Sequence, residues 1–542
     1  MADYTAWQMQ QWMTGDESLV RVGPGTGAGA EEVPGCPARD AAEARPGVRV
    51  RVPSRLPHEH LETFTLGPVC DVLDLIEFEG EPLERALDAL LERPRPLHPG
   101  HLAYAEHAVR LYAGRPDPHG LTPVKPYWVV RKDNGRRWEL YAWWRRYQSA
   151  DGSVREYRRL RHAGARASTP GEIAIAAYTA AFGFSASWPR RWPREFALHD
   201  SPSRVTHVRI VETGLADGSR NVQFEGTVDE ARAYYDAFGD AHVRSVVKGG
   251  PERPGPACAD CKQFTGCGAV RRSPGALALP SRKLPLRKVS AGELQYHALC
   301  PAQAFLRALR LPQSDECSDA AKLDQAVHGW IEALHRRDGR PACVAADMPA
   351  PGANWTRGRW RVPDEEAELG RRMLLHHVNA CPFRNAALIE RAEPGPLRVV
   401  HDTAAQALVV AKPDLLYRED GSWVWRDLKT TRAASRRAGD LLDAYPRIAL
   451  AVVLLAQGAL GGDAGGSRVE VEILRPGGSD TQVIDPTDPE RLAKARAVLR
   501  RYAGPWRADH TWEARPGRHC RWCPVSRWCT SAVRGEDAEE KA

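Results

Sequence analysis

A chain of 542 residues exceeds one ordinary core at roughly 150 residues per domain and points to two or three domains. With 43% apolar and 27% charged residues and a mean hydropathy of -0.47 it is not disordered throughout, and no apolar run approaches the roughly 20 residues of a membrane helix. The net charge of +7 leans only mildly towards polyanions, so charge selects no partner. Met1 to Leu19 lacks a basic stretch followed by an apolar one, which reads as a cytoplasmic protein. The 12 cysteines then sit in a reducing compartment, where clustered thiols mean metal more readily than disulfide.

The amino-terminal half opens on a Gly/Pro-rich run, Val22 to Pro46, that holds Cys36. Further on, Arg131 to Arg166 carries eleven Lys or Arg against four acidic residues, interleaved with Trp138, Trp143, Trp144, Tyr147 and Tyr157. Basic groups neutralise phosphates while aromatic faces stack on unpaired bases. One reading is therefore a DNA-holding platform of Arg145, Arg146, Arg158, Arg159, Trp143 and Trp144; the other is a solvated Arg-rich sheet with aromatics in its core. An Ala-rich helix (EIAIAAYTAAFG, 172-183), a strand opening at Ser203-Arg204-Val205 and a polar helix around Asp229 to Phe238 lead to Cys258, Cys261 and Cys267, spaced C-x2-C-x5-C. The basic, Pro-rich stretch Arg271 to Lys288 has the composition of a linker.

The carboxy-terminal half runs through the same kinds of element. Cys300-Pro301-Ala302 echoes Cys36-Pro37-Ala38, and RIALAVVLLAQG (447-458) matches 172-183 in step. Ser467-Arg468-Val469 opens a strand, Pro489 to Tyr502 is a polar helix, and Cys520, Cys523 and Cys529 repeat C-x2-C-x5-C. The offsets, about 262 to 275 residues, are what a duplicated domain with loop insertions gives, against chance likeness of single pairs. A charged tail follows Val533.

Between these elements, Leu408 to Lys429 (LVVAKPDLLYREDGSWVWRDLK) is two apolar-rich strands about a Glu-Asp-Gly turn. Alternation puts Asp427 and Lys429 on one face, and a hairpin can bring Asp414 opposite them. Two converging carboxylates repel unless a cation lies between them, and hard oxygen ligands suit Mg2+ or Mn2+. The lysine cannot ligate while protonated, but it can stabilise charge on a phosphate under attack or orient the attacking water. That combination is a phosphodiester hydrolysis site. The other reading makes Asp414 a turn residue after Pro413, and Asp427 with Lys429 a surface ion pair.

Lys412-Pro413-Asp414 followed by Asp427-Leu428-Lys429-Thr430-Thr431 resembles the PD-(D/E)XK nuclease signature in its D-x-K form. Cys300 far upstream, with Cys520, Cys523 and Cys529 at the end, is similar to the iron-sulfur branch of RecB-like nucleases, which includes CRISPR-associated exonucleases and the nuclease domain of AddB-type repair proteins. The likeness covers roughly Ser290 to Cys529. It implies that Asp414 and Asp427 bind the divalent metal, with the backbone carbonyl of Leu428 as a further ligand, and that Lys429 acts on the phosphate or water. His328, in the helix-like stretch Asp319 to His335, matches the family's metal-binding histidine, with Glu332 one turn on as a weaker substitute. The resemblance also implies action on single-stranded DNA ends, in repair or in defence against foreign DNA. One departure is plain: the family's Gln-x-x-x-Tyr helix corresponds to Ala444 to Gln457, which has only Tyr445 at its start.

Four thiolates from Cys300, Cys520, Cys523 and Cys529 can enclose a 4Fe-4S cluster or Zn2+, and the resemblance associates this pattern with iron-sulfur. Such a group would staple positions about 220 residues apart. Cys258, Cys261 and Cys267, with Cys36 or its rival Cys70, could hold a second cluster, while Cys317, Cys343 and Cys381 read as free buried thiols. If the halves are copies, Ala142 to Leu160 matches the hairpin, Arg145 falls against Asp414 and Arg158 near Asp427, and arginines in place of ligands cannot hold Mg2+.

The expected architecture is thus α/β: tandem restriction-endonuclease-like domains, each a mixed central sheet flanked by helices. Residues 1-270 form a degenerate copy, 271-289 a linker, 290-530 the active nuclease domain and 531-542 a disordered tail. The expected function is divalent-metal-dependent cleavage of DNA. Its rivals are a DNA-binding accessory subunit with weak or absent catalysis, and a zinc-stapled scaffold with no nucleic-acid role. No Gly-x-x-x-x-Gly-Lys-Ser/Thr loop is present, so unwinding would need a helicase or other partner chain.

Overall fold

The computed structural model describes residues 7-26, 35-51, 65-115, 118-133, 136-191, 193-199, 204-314, 318-432 and 440-533. Segment 27-34 of the Gly/Pro-rich run, Ser203, Cys317 and the tail from 534 lie outside them. In the amino-terminal half, helix α1 (Gly67–Asp74) runs into a π turn, Leu75–Glu79, and α2 (Pro99–Ala113) follows. Strands β1 (Thr122–Pro123), β2 (Arg145–Gln148), β3 (Val154–Arg161), β4 (His207–Gly214) and β5 (Arg220–Thr227) form a sheet ordered β5-β4-β3-β2-β1. β3 and β4 pair in parallel and are joined by α3 (Pro170–Phe182); the other neighbours are antiparallel.

Thr169 starts α3 with a capping box, its hydroxyl accepting from the Glu172 N–H while the Glu172 carboxylate accepts from the Thr169 N–H. The helix is apolar almost all round because it lies between two sheets. Ala176, Ala177 and Ala180 pack with Tyr157, Val208 and Ile210 of the first. Ile175 and Tyr178 pack with Val20, Val22, Val130 and Leu140 of a second, built from Leu19–Val22, Tyr127–Asp133, Arg137–Tyr141, Phe184–Ser187 and Ala197–Leu198. The expected polar helix is α4 (Val228–Tyr234), continued by a π turn and Asp240–Lys248.

The stretch expected as a linker is partly sheet. Arg271–Arg272 pairs with Val400 and His401, and Arg287–Ser290 pairs with residues 407-410. Its prolines mask an apolar series, Ala276, Leu277, Leu286 and Val289, that is buried. Asp402 accepts the N–H groups of Gly275 and Leu277 at 2.9 and 2.8 Å.

The carboxy-terminal half places α5 (Ala291–Leu299), α6 (Pro301–Ala308), α7 (Asp319–His335) and α8 (Asp364–Ala380) before its main sheet. That sheet consists of β6 (Ile389–Pro394), β7 (Leu415–Glu419), β8 (Ser422–Thr430), β9 (Asp463–Arg475) and β10 (Gly478–Ile484), in the order β6-β7-β8-β9-β10. β8 and β9 are parallel, joined through α9 (Pro446–Ala456), and the rest antiparallel. Order and pairing senses are those of the β1–β5 sheet. α10 (Pro489–Ala508) closes the unit. The expectation of mixed sheets flanked by helices is met.

β8 is central and covered on both faces. Its Val424 and Leu428 pack with Leu323 and Val327 of α7, whereas Trp423 and Trp425 pack with the apolar residues of α9. One hydrophobic core spans the two halves: Tyr104, Ala105 and Ala108 of α2 share it with Ala304, Phe305, Leu306 and Trp528. Tyr104 and Trp528 meet edge-on at 5.0 Å, and the Trp528 indole N–H donates to the Pro312 carbonyl at 2.7 Å.

Candidate active site

Asp427 lies in the middle layer, 0% exposed, because it is carried by the central strand. A buried carboxylate needs hydrogen-bond donors or a cation. Neither Asp427 oxygen has a hydrogen-bond partner among the described residues, and Arg447 Nη2, from the first turn of α9, is 2.6 Å from Oδ1 as an ion pair. Asp414 stands beside it just ahead of β7: the Leu428 N–H donates to Asp414 Oδ2 at 2.7 Å, and Arg447 Nη2 is 3.1 Å from the same oxygen.

His328, from the opposite layer, places Nδ1 3.1 Å from Asp414 Oδ1 and Nε2 3.4 Å from Asp324 Oδ1. Burial lowers the basicity of this imidazole, but Asp414 and Asp324 outweigh it and lift its pKa to about 9. Burial likewise opposes the charge of Asp414, yet Arg447, then His328 and Lys429, hold its carboxyl well below the usual carboxylate range. Lys429 puts its ammonium 5.2 Å from the centre of the Tyr445 ring and acts electrostatically on Asp414 and Asp324. The fold thus gathers His328, Asp414, Asp427, Leu428 and Lys429 in one place. Glu332 instead pairs with Arg336.

Two members were missed from sequence. Asp324 accepts from the Thr430 hydroxyl at 2.7 Å, tying α7 to the end of β8; its signal was the i, i+4 spacing to His328. Arg447 was visible only as the polar second residue of an otherwise apolar helix. Two carboxylates and an imidazole, one carboxylate without hydrogen bonds among the described residues, suit a hard divalent cation chemically.

The corresponding place in the β1–β5 sheet has the opposite charge pattern. Arg145 and Arg158 are cross-strand partners, and Arg158 stands against Val211 on β4 as Asp427 stands against Val471 on β9. Lys429 pairs with Ile473 and its register counterpart, Leu160, with Thr213. Arg145 is paired with Glu77 and, at 2.9 Å, Asp74. Arg158 is paired with Glu156 and lies over the Tyr147 ring at 3.6 Å. Arg146 donates to the carbonyls of Trp144 and Lys125 and covers Tyr127, while Arg159 pairs with Glu172 and covers Trp144. Of the six residues expected to hold DNA, Trp143 is the one with a large exposed surface, 52%.

Cys300, Cys520, Cys523 and Cys529 line one small cavity together with Gln303, Leu306 and Val525. Burial and the neighbouring thiolates push the Cys523 thiol up to about 11. The Arg515 and Gly517 N–H groups donate to the sulfurs of Cys300 and Cys520 at 3.4 and 3.5 Å. The amino-terminal thiols are arranged alike: the Arg253 and Gly255 N–H groups donate to Cys36 and Cys258 at 3.3 Å each, and Cys258 feels both Cys36 and Cys267. The shared tripeptide Arg-Pro-Gly, 253-255 and 515-517, was the sequence signal for this match. Cys70 lies elsewhere, near Arg145 and Asp74. Cys343 and Cys381 are free and buried, as expected, and stand together with His335 and His377. Two segments meet there, His335 to Cys343 and His377 to Cys381, and the spacing within each does not show that the two converge.

Residues 288-530 match the family model of the PD-(D/E)XK nuclease superfamily. No curated protein matches the sequence. Among solved structures, a proposed exonuclease from Eubacterium rectale is similar at 11% identity and TM-score 0.28, over 40% of this chain and 79% of that one. A protein named SSO0001 is similar at 13% identity and TM-score 0.18, over 45% of this chain and 96% of that one. Among the described residues no helix is long and apolar enough to cross a membrane.

Proposed function

We propose that residues 290-530 are a divalent-metal-dependent deoxyribonuclease domain, acting on single-stranded DNA ends in repair or in defence against foreign DNA. The observation that carries this reading is Asp427: a fully buried carboxylate ion-paired to Arg447 and without a hydrogen-bond partner among the described residues, beside Asp414, His328 and Lys429, in a segment that matches a nuclease superfamily. Asp414, Asp427, His328 and the Leu428 carbonyl would hold Mg2+ or Mn2+, which supplies a Lewis acid and a water acidic enough to attack at neutral pH. His328 must give up its proton to join them, since an imidazolium has no lone pair. Asp324 keeps the ring oriented, and the Lys429 ammonium stabilises negative charge on the attacked phosphate.

The same reading makes residues 1-270 a degenerate copy, supported by equal strand order and by Arg158 and Leu160 in the register positions of Asp427 and Lys429, with Arg145 opposite Arg158. Each half would carry a four-thiol cluster, Cys300/Cys520/Cys523/Cys529 and Cys36/Cys258/Cys261/Cys267, with 4Fe-4S as the occupant favoured over Zn2+. The thiol donors of a single ion would lie about 3.8 Å apart. The described group of His, Cys, Asp and Glu donors that does converge within 4.8 Å is a different one.

Arg447 favours a second reading, an accessory DNA-binding subunit, because its guanidinium already pairs with both carboxylates. Cleavage of labelled single-stranded DNA with Mn2+ separates the two. The nuclease reading expects wild-type cleavage that falls at least about a hundredfold in Lys429→Ala and Asp427→Ala, the scale of losing one electrostatic stabiliser. DNA binding without cleavage under either metal would establish the accessory role.

A further inference from the structure

Away from the carboxylates and the four-thiol groups, a third set of donors closes on itself. His335 is the last residue of α7, Cys343 lies in the loop beyond, His377 is in the last turn of α8, and Cys381 follows that helix. Their donor atoms all lie within 4.8 Å of one another, and each residue is at most 4% exposed. His335 Nε2 and His377 Nε2 are 3.2 Å apart, and Cys381 Sγ is 3.7 Å from His335 Nε2.

A tetrahedral zinc ion with Zn–N near 2.05 Å and Zn–S near 2.3 Å has ligand-to-ligand edges of about 3.3 Å for N···N and about 3.6 Å for N···S. The two separations measured agree with both edges. The outer contacts agree as well. Glu472 Oε1 and Oε2 lie 2.9 and 3.0 Å from His377 Nδ1, so that nitrogen carries the proton and Nε2 turns its lone pair inward. Arg426 holds Glu472 in turn at 2.8 Å. The Cys343 N–H donates to Cys381 Sγ at 3.5 Å, which favours a thiolate there. Two thiolates and two neutral imidazoles exactly offset a dication's charge in a buried place where net charge is costly.

We propose that His335, Cys343, His377 and Cys381 form a closed structural zinc site. It leaves no position for substrate, so its work is mechanical. His328 sits seven residues, about two turns, before His335 on α7. The ion would fix the end of that helix to α8 and, through Glu472 and Arg426, to the two parallel strands β9 and β8. The helix carrying the histidine and the strand carrying Asp427 are thereby held in register.

Elemental analysis of the full-length protein, grown with zinc and purified without chelator, tests this. About one zinc per chain is expected, lost in Cys381→Ser and His335→Gln but kept in Cys520→Ser, which alters a four-thiol group instead. Zinc-edge X-ray absorption of the wild type needs no variant and is expected to show two sulfur and two nitrogen neighbours. A zinc shell of four sulfurs, zinc that survives Cys381→Ser, or a zinc-free protein with Cys343 and Cys381 joined as a disulfide would each overturn the proposal.

Discussion

Arg447 is the residue on which the chemistry of the carboxylates turns. Its Nη2 bridges Asp414 and Asp427, yet neither the Asp427 oxygens nor that nitrogen gains hydrogen-bond geometry from the contact. The guanidinium therefore compensates charge without satisfying the buried acid, a role a metal ion fills better. Removing one partner of a buried pair costs about 3 kcal/mol, because the other is left uncompensated. Arg447→Ala is expected to lose that much stability in chelator and to regain most of it in millimolar Mn2+, read from urea unfolding in the two buffers. Wild type should gain less from Mn2+, since its arginine competes for the same oxygens. A variant equally unstable with and without Mn2+ would remove the cation from these residues.

At the scale of elements, one frame carries two charge patterns. In the β6–β10 sheet, acids on the strands face a histidine from the helix ahead. In the β1–β5 sheet, Arg145 faces Asp74 and Glu77 from α1 and its π turn, and Arg158 is paired with Glu156 of its own strand. The second pattern is self-neutralising, so Arg145 stabilises the fold and has little charge left for phosphate. Arg145→Met is expected to destabilise by about 2–3 kcal/mol, less than a fully buried pair because Asp74 is half-exposed. Its affinity for single-stranded DNA should stay within twofold of wild type in a fluorescence anisotropy titration. A marked loss of affinity at unchanged stability would return Arg145 to a DNA-holding platform.

Much of this arrangement was legible in the chain. The D-x-K tripeptide and its turn located β7 and β8, and the two C-x2-C-x5-C runs located both thiol groups, because hairpins and knuckles are local and leave local spacing. Arg447, Asp324 and the four zinc donors were not legible as a site. Each site is completed only across layers, and the packing of α7, α8 and α9 on the sheet decides which face of each helix turns inward. Arg145 was illegible for a related reason: its acidic partners, Asp74 and Glu77, lie some 70 residues upstream.

The two halves are joined by a common interior rather than by a tether, and this gives the molecule one acid-sensitive seam. His162, beyond the end of β3, lies where α2 meets the carboxy-terminal half, with its carbonyl accepting from the Tyr104 hydroxyl at 2.9 Å. Burial, then Arg310 of the other half, His101 and Arg161, pull its pKa down to about 4. A histidine kept neutral in the fold stabilises it fully above the ordinary value of 6.5. As pH falls the unfolded chain takes up a proton that the folded one refuses, and stability drains away until the folded ring also protonates near pH 4. After allowance for solvent screening, this single group accounts for on the order of 1–2 kcal/mol. Urea midpoints between pH 7 and 4 should therefore fall more steeply in wild type than in His162→Gln, with the two curves parallel above pH 7. Because the interior is shared, far-ultraviolet circular dichroism and total tryptophan fluorescence should report the same midpoint at every pH, whereas two separated transitions would mean that the halves unfold independently.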